Sequence, residues 1–252
     1  MERVLVFGLL FFMITSCATR KEIVYFQDAD QLDLNSISQS FEPIIEKNDI
    51  LYISVSSIDD QVVKPFQRTT EASSSGLSNS NPVLQGYLVN PEGNIRFPVL
   101  GDIAVTGLTR GQVEEDLKSK LREYVLDAVV DVRIMNFKIT VLGEVRNPGV
   151  FTINDERVTL PQALGLAGDL TEDGKRENVV VIREEDGKQK VSRIDMTKTA
   201  LFSSPFYFLK QNDVVYVEPS LKGVKKSGFI PDIPALLSVV TIILSATILL
   251  TR

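Results

Sequence analysis

The stretch FKITVLGEVRNPGVF, residues 137–151, lies just past the midpoint of the chain and decides how the rest is interpreted. Its β-branched apolar residues indicate two strands, and Asn147, Pro148 and Gly149 have the composition of a tight turn between them. Gly143 permits a bulge or a positive φ at the end of the first strand. The stretch therefore predicts a hairpin, and one module of the chain is expected on each side of its start.

Length and composition limit the classes of function. The chain has 252 residues, of which 44% are hydrophobic and 24% charged, which suits two small globular domains. The net charge is −6, with or without residues 1–16, so a nucleic-acid partner is not expected. With no His and one Cys, the chain lacks the usual zinc clusters, the Ser-His-Asp and Cys-His arrangements, and any internal disulfide. The composition therefore weighs against an enzyme, and we expect no metal and no cofactor.

The N-terminus predicts a secreted lipoprotein. Arg3 precedes an apolar run that is too short to span a bilayer but suits a signal peptide, residues 1–16. The small residues before Cys17 predict cleavage there and acylation of that residue by chains such as palmitate. An ordinary cleaved signal with an incidental Cys, or an uncleaved anchor, is the alternative. Ala18 suggests the outer membrane by analogy, and residues 17–40 are polar and predict a tether.

The first module is predicted over residues 41–136. Lys47, Asn48 and Asp49 form a turn in which Asn48 can take positive φ. A strand apolar on both faces follows over residues 50–55, and this pattern predicts that both faces are buried. Strands at 87–89 and 95–99 are predicted to form a hairpin around a turn that contains Gly93. The Ser-rich residues 69–82 between these elements predict a flexible loop.

A helix is predicted after these strands. Thr109 and Gln112 have the spacing of a capping box, and the apolar positions that follow recur at helical intervals: Val113, Leu117, Leu121 and Tyr124. Adjacent carboxylates such as Glu114 and Glu115 point away from each other, so they indicate a solvated face rather than a catalytic pair.

The second module is predicted over residues 137–220. After the central hairpin, Thr159 and Gln162 form another capping box, and Gly168 is placed to end that helix. Strands at 179–183 and 188–193 flank an Asp-Gly turn, and a closing strand covers 214–217. Residues 209–217 repeat the pattern of residues 45–53, so both modules are expected to use one kind of turn. The predicted fold class is α+β, with a β-rich first module and a small mixed sheet that holds one helix in the second module.

Several of these motifs together resemble the bacterial polysaccharide export family of outer-membrane lipoproteins, the Wza type. The resemblance is carried by these segments: Asn48-Asp49-Ile50-Leu51, Pro91-Glu92-Gly93-Asn94, Val105-Thr106-Gly107-Leu108-Thr109, Val141-Leu142-Gly143-Glu144-Val145 and Pro148-Gly149. The resemblance extends from Cys17 to the C-terminus. Three positions depart from the family pattern: Lys47-Asn48-Asp49 replaces the usual Pro-Gly-Asp, Ala128 replaces a common Pro, and Gly168-Asp169 replaces a common Gly-Gly.

The resemblance implies an export domain followed by one SLBB domain with a small β-grasp fold, and a conduit rather than an enzyme. It implies a homo-oligomeric ring in the outer membrane that passes polysaccharide, with an inner-membrane copolymerase or tyrosine-kinase-type partner. Two other classes remain open: a periplasmic glycan-binding adaptor without its own pore, and a glycan-processing enzyme.

The C-terminus predicts a transmembrane helix. Residues 221–232 form a basic linker, and residues 233–251 contain an 18-residue stretch without charge, which is just long enough to span. Ser238, Thr241 and Ser245 share one helix face and are candidates for lining a pore. The alternative is a single anchoring helix whose hydroxyls bond back to its own carbonyls.

Overall fold

The computed structural model describes residues 23–31, 41–68, 86–185, 187–220 and 233–250. Cys17, the predicted signal peptide, the Ser-rich loop and the basic linker lie outside these residues. Buried apolar side chains of the described residues form two clusters, one from residues 45–132 and the other from residues 137–217. Each predicted module thus contains a hydrophobic cluster of its own.

The first module combines a three-stranded sheet, a separate hairpin and a helix. Its elements are β1 (Ile50–Ser56), α1 (Asp60–Val63), β2 (Tyr87–Leu88), β3 (Asn94–Phe97), β4 (Gly101–Ala104), α2 (Arg110–Leu121) and β5 (Val129–Ile134). The sheet has the order β2-β1-β5, with antiparallel pairing throughout. In β1, Leu51 and Val55 are buried whereas its other residues are partly or fully exposed, so the expectation of burial on both faces is wrong.

The hairpin of the first module uses different strands from those predicted. Strand β3 pairs with β4, Phe97 opposite Gly101, whereas β2 pairs with β1. The predicted turn is nevertheless present, since the N–H of Gly93 donates to the carbonyl of Asn90 at 2.9 Å. Val99 and Gly101 have φ of +66° and +79° and reverse the chain a second time, which brings β4 rather than β2 beside β3.

Helix α2 starts as its sequence predicts. The Thr109 hydroxyl accepts from the N–H of Gln112, and the Gln112 side chain accepts from the N–H of Thr109, so the capping box is confirmed. Val113, Leu117 and Leu121 are buried. Tyr124 follows the end of the helix, is half exposed and packs on the ring of Phe66 at 5.5 Å.

The second module wraps a five-stranded mixed sheet around one helix. Its elements are β6 (Lys138–Gly143), β7 (Gly149–Thr152), β8 (Val158–Thr159), α3 (Leu160–Leu166), β9 (Gly174–Glu185), β10 (Lys188–Ile194), β11 (Phe208–Leu209) and β12 (Val214–Pro219). The sheet order is β10-β9-β12-β6-β7, and only β12 and β6 run parallel. Both predicted hairpins and the capping box of Thr159 are confirmed.

The C-terminal helix α4 spans Ile233–Leu250. Among the residues that the structure describes, none of the helices is long and apolar enough to cross a membrane. The prediction of a C-terminal transmembrane helix over residues 233–251 is therefore wrong. At about 1.5 Å per residue the helix reaches about 27 Å, which is less than a hydrocarbon core of about 30 Å, and hydroxyl side chains interrupt its apolar run.

Candidate functional site

Two turns of the same geometry lie where the modules meet. Asn48 and Asn212 have φ of +69° and +63°, a conformation that Asn tolerates better than most residues. The carboxylate of Asp49 accepts the N–H of Glu46 at 2.8 Å, and that of Asp213 accepts the N–H of Lys210 at 2.8 Å. The repeated sequence pattern therefore corresponds to one turn conformation used twice.

The aspartate of the second turn is neutralised inside the protein. Arg183 on β9 is 3% exposed in its residue surface and donates to both carboxylate oxygens of Asp213, at 2.9 and 2.7 Å. It also donates to the carbonyls of Pro205 and Phe208 and stacks over the ring of Phe206 at 4.6 Å. A buried charge pair is tolerated when its remaining donors are satisfied in this way.

Within the described residues, the aspartate of the first turn has no such cation. Asp49 is 1% exposed, and its Oδ1 atom accepts no hydrogen bond from this described part of the chain. Burial raises the pKa of the Asp49 carboxyl to about 6, despite the opposing hydrogen bond from the N–H of Glu46. Burial also raises the pKa of the neighbouring Glu46 carboxyl. The two equivalent turns thus differ in charge compensation.

Side-chain hydrogen bonds link both turns to the segment that connects the two modules. The amide of Asn136 donates to the carbonyl of Asn48 at 2.9 Å and accepts the N–H of Ile50 at 2.8 Å. Gln211 donates to the carbonyl of Asn136 at 2.8 Å and accepts the N–H of Lys138 at 2.7 Å. Outside the turns, the rings of Phe41 and Phe208 stack at 4.7 Å across the junction.

A cleft of about 770 Å³ opens between the two turns. Amide and charged side chains line it from both modules: Glu46, Lys47, Asn48, Glu184, Lys210 and Gln211. Lys210 forms an ion pair with Glu185 at 3.2 Å, and the hydrogen bonds from Lys210 and Lys190 lower the pKa of the Glu185 carboxyl. The lining therefore offers both donors and acceptors, which is the kind of surface that hydroxyl-rich ligands require. Over the described ranges, no group of three or more potential metal ligands is present.

The predicted tether docks on the second module. The backbone N–H groups of Phe26 and Gln27 donate to the carbonyls of Met196 and Thr197, the latter at 2.7 Å. The Tyr25 hydroxyl donates to the Asp169 carboxylate at 2.5 Å while Arg176 lies over the Tyr25 ring at 5.4 Å. Burial is the main cause that raises the pKa of the Tyr25 hydroxyl. Residues 23–31 are thus part of the second module's surface.

The remaining predicted turn residues lie in the two hairpins. Gly143 has φ +88° at the end of β6, where a Cβ would lie 2.1 Å from the carbonyl oxygen of Val217. Pro148 and Gly149 lead into β7, and Gly93 has φ +91°. Close packing of β6 against β12 therefore requires glycine at position 143.

Helix α4 carries the three candidate pore-lining residues. Ser238, Thr241 and Ser245 are exposed. The Thr241 hydroxyl donates to the carbonyl of Ser238 at 2.8 Å, a hydrogen bond back to its own helix.

Two family matches coincide with the two modules. Residues 38–135 match the family described as polysaccharide biosynthesis/export protein, and residues 137–217 match the SLBB domain. The chain belongs to the polysaccharide biosynthesis/export family. This family comprises export proteins and is not a family of enzymes.

Relatives of this export-family chain support the assignment. The chain is similar to the EPS I polysaccharide export outer membrane protein EpsA of Ralstonia solanacearum, with 31% identity over 198 residues, 76% of this chain and 51% of that protein. It is 31% identical over 164 residues to the protein of the same name from Ralstonia nicotianae, covering 63% of this chain and 42% of that protein. The chain thus spans about half the length, or less, of the curated relatives it matches.

Sequence reasoning on this family member missed Arg183, Asp169 and Tyr25. Arg183 lies on the same face of β9 as the buried Val179 and Val181, because every second residue of a strand shares a face. The sequence therefore did indicate a charged side chain on the buried face. Asp169 has φ +71° at a position where the family often has Gly, which marked it as unusual. No comparable signal marked Tyr25, because its contacts lie 144 residues away.

Proposed function

We propose that the chain is a lipid-anchored subunit of an oligomeric ring at the outer membrane that passes polysaccharide out of the cell. The observation that carries the proposal is the similarity to an outer membrane export protein over 198 residues, which is long enough to include both modules. No bond of the polysaccharide is made or broken, and an inner-membrane copolymerase delivers the polymer.

The construction of the junction supports this function. A ring that conducts a polymer must keep its wall closed while the polymer moves, so a rigid subunit is needed. Asn136 and Gln211 together form four hydrogen bonds at the junction, of which the one from the Gln211 amide to the Asn136 carbonyl joins the two modules. Arg110 and Glu156 add an ion pair between them.

Secretion and particle shape test the proposal together. Deletion of the protein should abolish cell-surface polysaccharide and leave polymer in the periplasm, and the full chain should restore export. Electron microscopy of the detergent-extracted protein should show rings. Normal surface polysaccharide in the deletion strain would contradict the proposal.

Lipid anchoring of the subunit has its own test. Cys17→Ser should abolish incorporation of a fatty-acid analogue and leave an unprocessed or mislocalised precursor, because Cys17 is the only thiol of the chain. A threonine-to-serine change at the neighbouring Thr19 is the matched control and should be labelled normally. Equal labelling of the Cys17→Ser protein would contradict the lipid anchor.

A glycan-binding adaptor is the second candidate, and the polar cleft between the modules favours it. An adaptor would hold glycan in this cleft without forming a ring of its own. Conductance of the purified protein in planar bilayers separates the two candidates, since only the conduit is expected to conduct. Stable glycan binding by a monomeric particle without conductance would favour the adaptor.

A further inference from the structure

The sheet of the second module ends in two different edge strands. Among the described strands, β7 and β10 each have one neighbour in this sheet, β6 and β9 respectively. Edge strands present unpaired backbone N–H and C=O groups that can join another chain. Because the two edges differ in sequence, joining one to the other is a head-to-tail contact, which generates a ring when the rotation between successive copies closes.

The strand directions suit such a contact. Strand β6 is antiparallel to β7 and parallel to β12, while β9 is antiparallel to both β12 and β10. It follows that β7 and β10 run in opposite directions. A second copy placed beside the first in the same orientation therefore brings β10 antiparallel to β7, the pairing that forms the stronger ladder.

A row of side chains crosses the face of the sheet opposite its helix. The register joins Val150 to Thr140, Thr140 to Val214, Val214 to Ile182 and Ile182 to Val191. The row begins and ends with β-branched apolar residues that are well exposed, Val150 at 63% and Val191 at 58%. Pairing the edges in register places Val150 of one copy opposite Val191 of the next, which continues the row and covers both residues.

The charges near the edges are complementary. Strand β10 starts with exposed Lys188 and Lys190, whereas β7 is followed by Asp155 and Glu156. Since the strands are antiparallel, the start of β10 lies beside the end of β7. Within one subunit, Lys190 already forms an ion pair with Glu185, and Glu156 forms one with Arg110. The attraction between the charges of neighbouring subunits adds to these ion pairs. Like charges disfavour the pairing of two β10 edges, which selects the head-to-tail contact.

We propose that neighbouring subunits are joined by antiparallel pairing of β7 of one copy with β10 of the next, so that the sheets of the second modules form a continuous wall. The proposal rests on the proposed ring and names the surface through which a second copy of this chain binds. It also assigns Val150 and Val191 to the centre of the contact.

Disulfide formation between subunits tests this register in the full-length protein in its native membrane. Opposed residues of an antiparallel pair have Cα atoms about 4.5–5.5 Å apart, which lies within the range of disulfides. The double variant Val150→Cys/Val191→Cys should give a ladder of cross-linked dimers, trimers and larger species on mild oxidation. A mixture of the two single variants should stop at dimers, because each subunit then carries only one reactive edge.

The neighbouring residue Ser192 provides the matched control. It has the opposite parity to Val191 on β10, so Val150→Cys/Ser192→Cys should cross-link at least tenfold less. The natural protein, which contains Cys17 alone, should give no ladder. If the first double variant does not accumulate, Thr152→Cys/Gln189→Cys tests the next pair of the same register with the same expectation.

Each outcome decides between the two proposals. A ladder that depends on Val191→Cys supports the edge pairing. Absence of cross-linking in particles that remain oligomeric by light scattering would overturn the edge pairing and leave the proposed ring in place. If Val191→Cys alone gave as many dimers as the double variant, a symmetric contact between two β10 strands would replace the proposed edge pairing. A monomeric particle would contradict both the edge pairing and the ring.

Discussion

Asp49 and Asp213 occupy the same position of two equivalent turns, but among the residues that the structure describes only Asp213 has a buried cation beside it. Because the folded-state pKa of Asp49 is raised from 3.8 to about 6, the folded state binds this proton more tightly than the unfolded state does. The contribution of Asp49 to stability is therefore greatest below pH 4 and is lost as the pH rises through 6. By linkage this amounts to roughly 3 kcal/mol at most.

The same substitution at the two turns should have opposite outcomes. Asp49→Asn should leave stability at pH 7 equal or higher and flatten its dependence on pH between 4 and 6. Asp213→Asn should leave Arg183 buried without a counter-charge and cost about 3–5 kcal/mol at pH 7. Urea unfolding of both variants over this pH range is the measurement. Equal losses at both positions would contradict the difference in charge compensation.

Strand β6 depends on glycine at its C-terminal end. Gly143→Ala places a Cβ 2.1 Å from the Val217 carbonyl oxygen at φ +88°, so the parallel pairing with β12 must shift. The positive φ alone costs a residue other than glycine about 1–3 kcal/mol of stability. Because the Cβ clash adds to this cost, we expect a larger loss for Gly143→Ala. Gly149→Ala in the same hairpin is the control, since a Cβ at that position would meet no atom within 4 Å and the φ of Gly149 is not in the left-handed region. Equal thermal midpoints of the two variants would contradict a special requirement at position 143.

Side-chain hydrogen bonds help to hold the docked segment of residues 23–31 on the second module, among them the bond from Tyr25 to Asp169. Tyr25→Phe removes the donor to Asp169 and should weaken docking by about 1.5–3 kcal/mol, the range for a bond to a charged group. Hydrogen exchange at the Gln27 amide, which donates to Thr197, should become faster. Tyr124→Phe on the first module is the matched control and should leave this exchange rate unchanged. Unaltered exchange in Tyr25→Phe would show that the remaining contacts of the segment, including the bond from Thr199 to Asp28, are sufficient to hold it.

Across the whole molecule, Gln211 links the second turn to the connection between the modules. Gln211→Ala removes the bonds to Asn136 and Lys138 and should allow the modules to move relative to each other. Small-angle scattering should then give a broader distribution of dimensions, and exchange of the Lys138 amide should increase. Gln189→Ala, on the exposed edge strand β10, is the control. An unchanged scattering profile would mean that ring stacking and the remaining bonds suffice.

The sequence by itself determined the elements whose signals are local. Capping boxes at Thr109 and Thr159, the hairpin of residues 137–151 and the repeated Asn-Asp turn depend on bonds between residues a few positions apart, so spacing and composition predict them. The family followed from the combination of such motifs. In the candidate site, only the turn residues Asn48 and Asp49 and the repeat at Asn212 and Asp213 were foreseen.

The tertiary structure decided which distant groups meet. No sequence pattern identified the partners in the pairing of β3 with β4, in the ion pair of Arg183 with Asp213 across 30 residues or in the docking of Tyr25 on Asp169 across 144 residues. Such contacts are selected by packing and loop closure, in which many partners of similar local propensity compete. The C-terminal segment was misjudged for a related reason: an uncharged run predicts a helix, but its length and hydroxyl content lie at the margin where composition alone does not decide whether it spans a membrane.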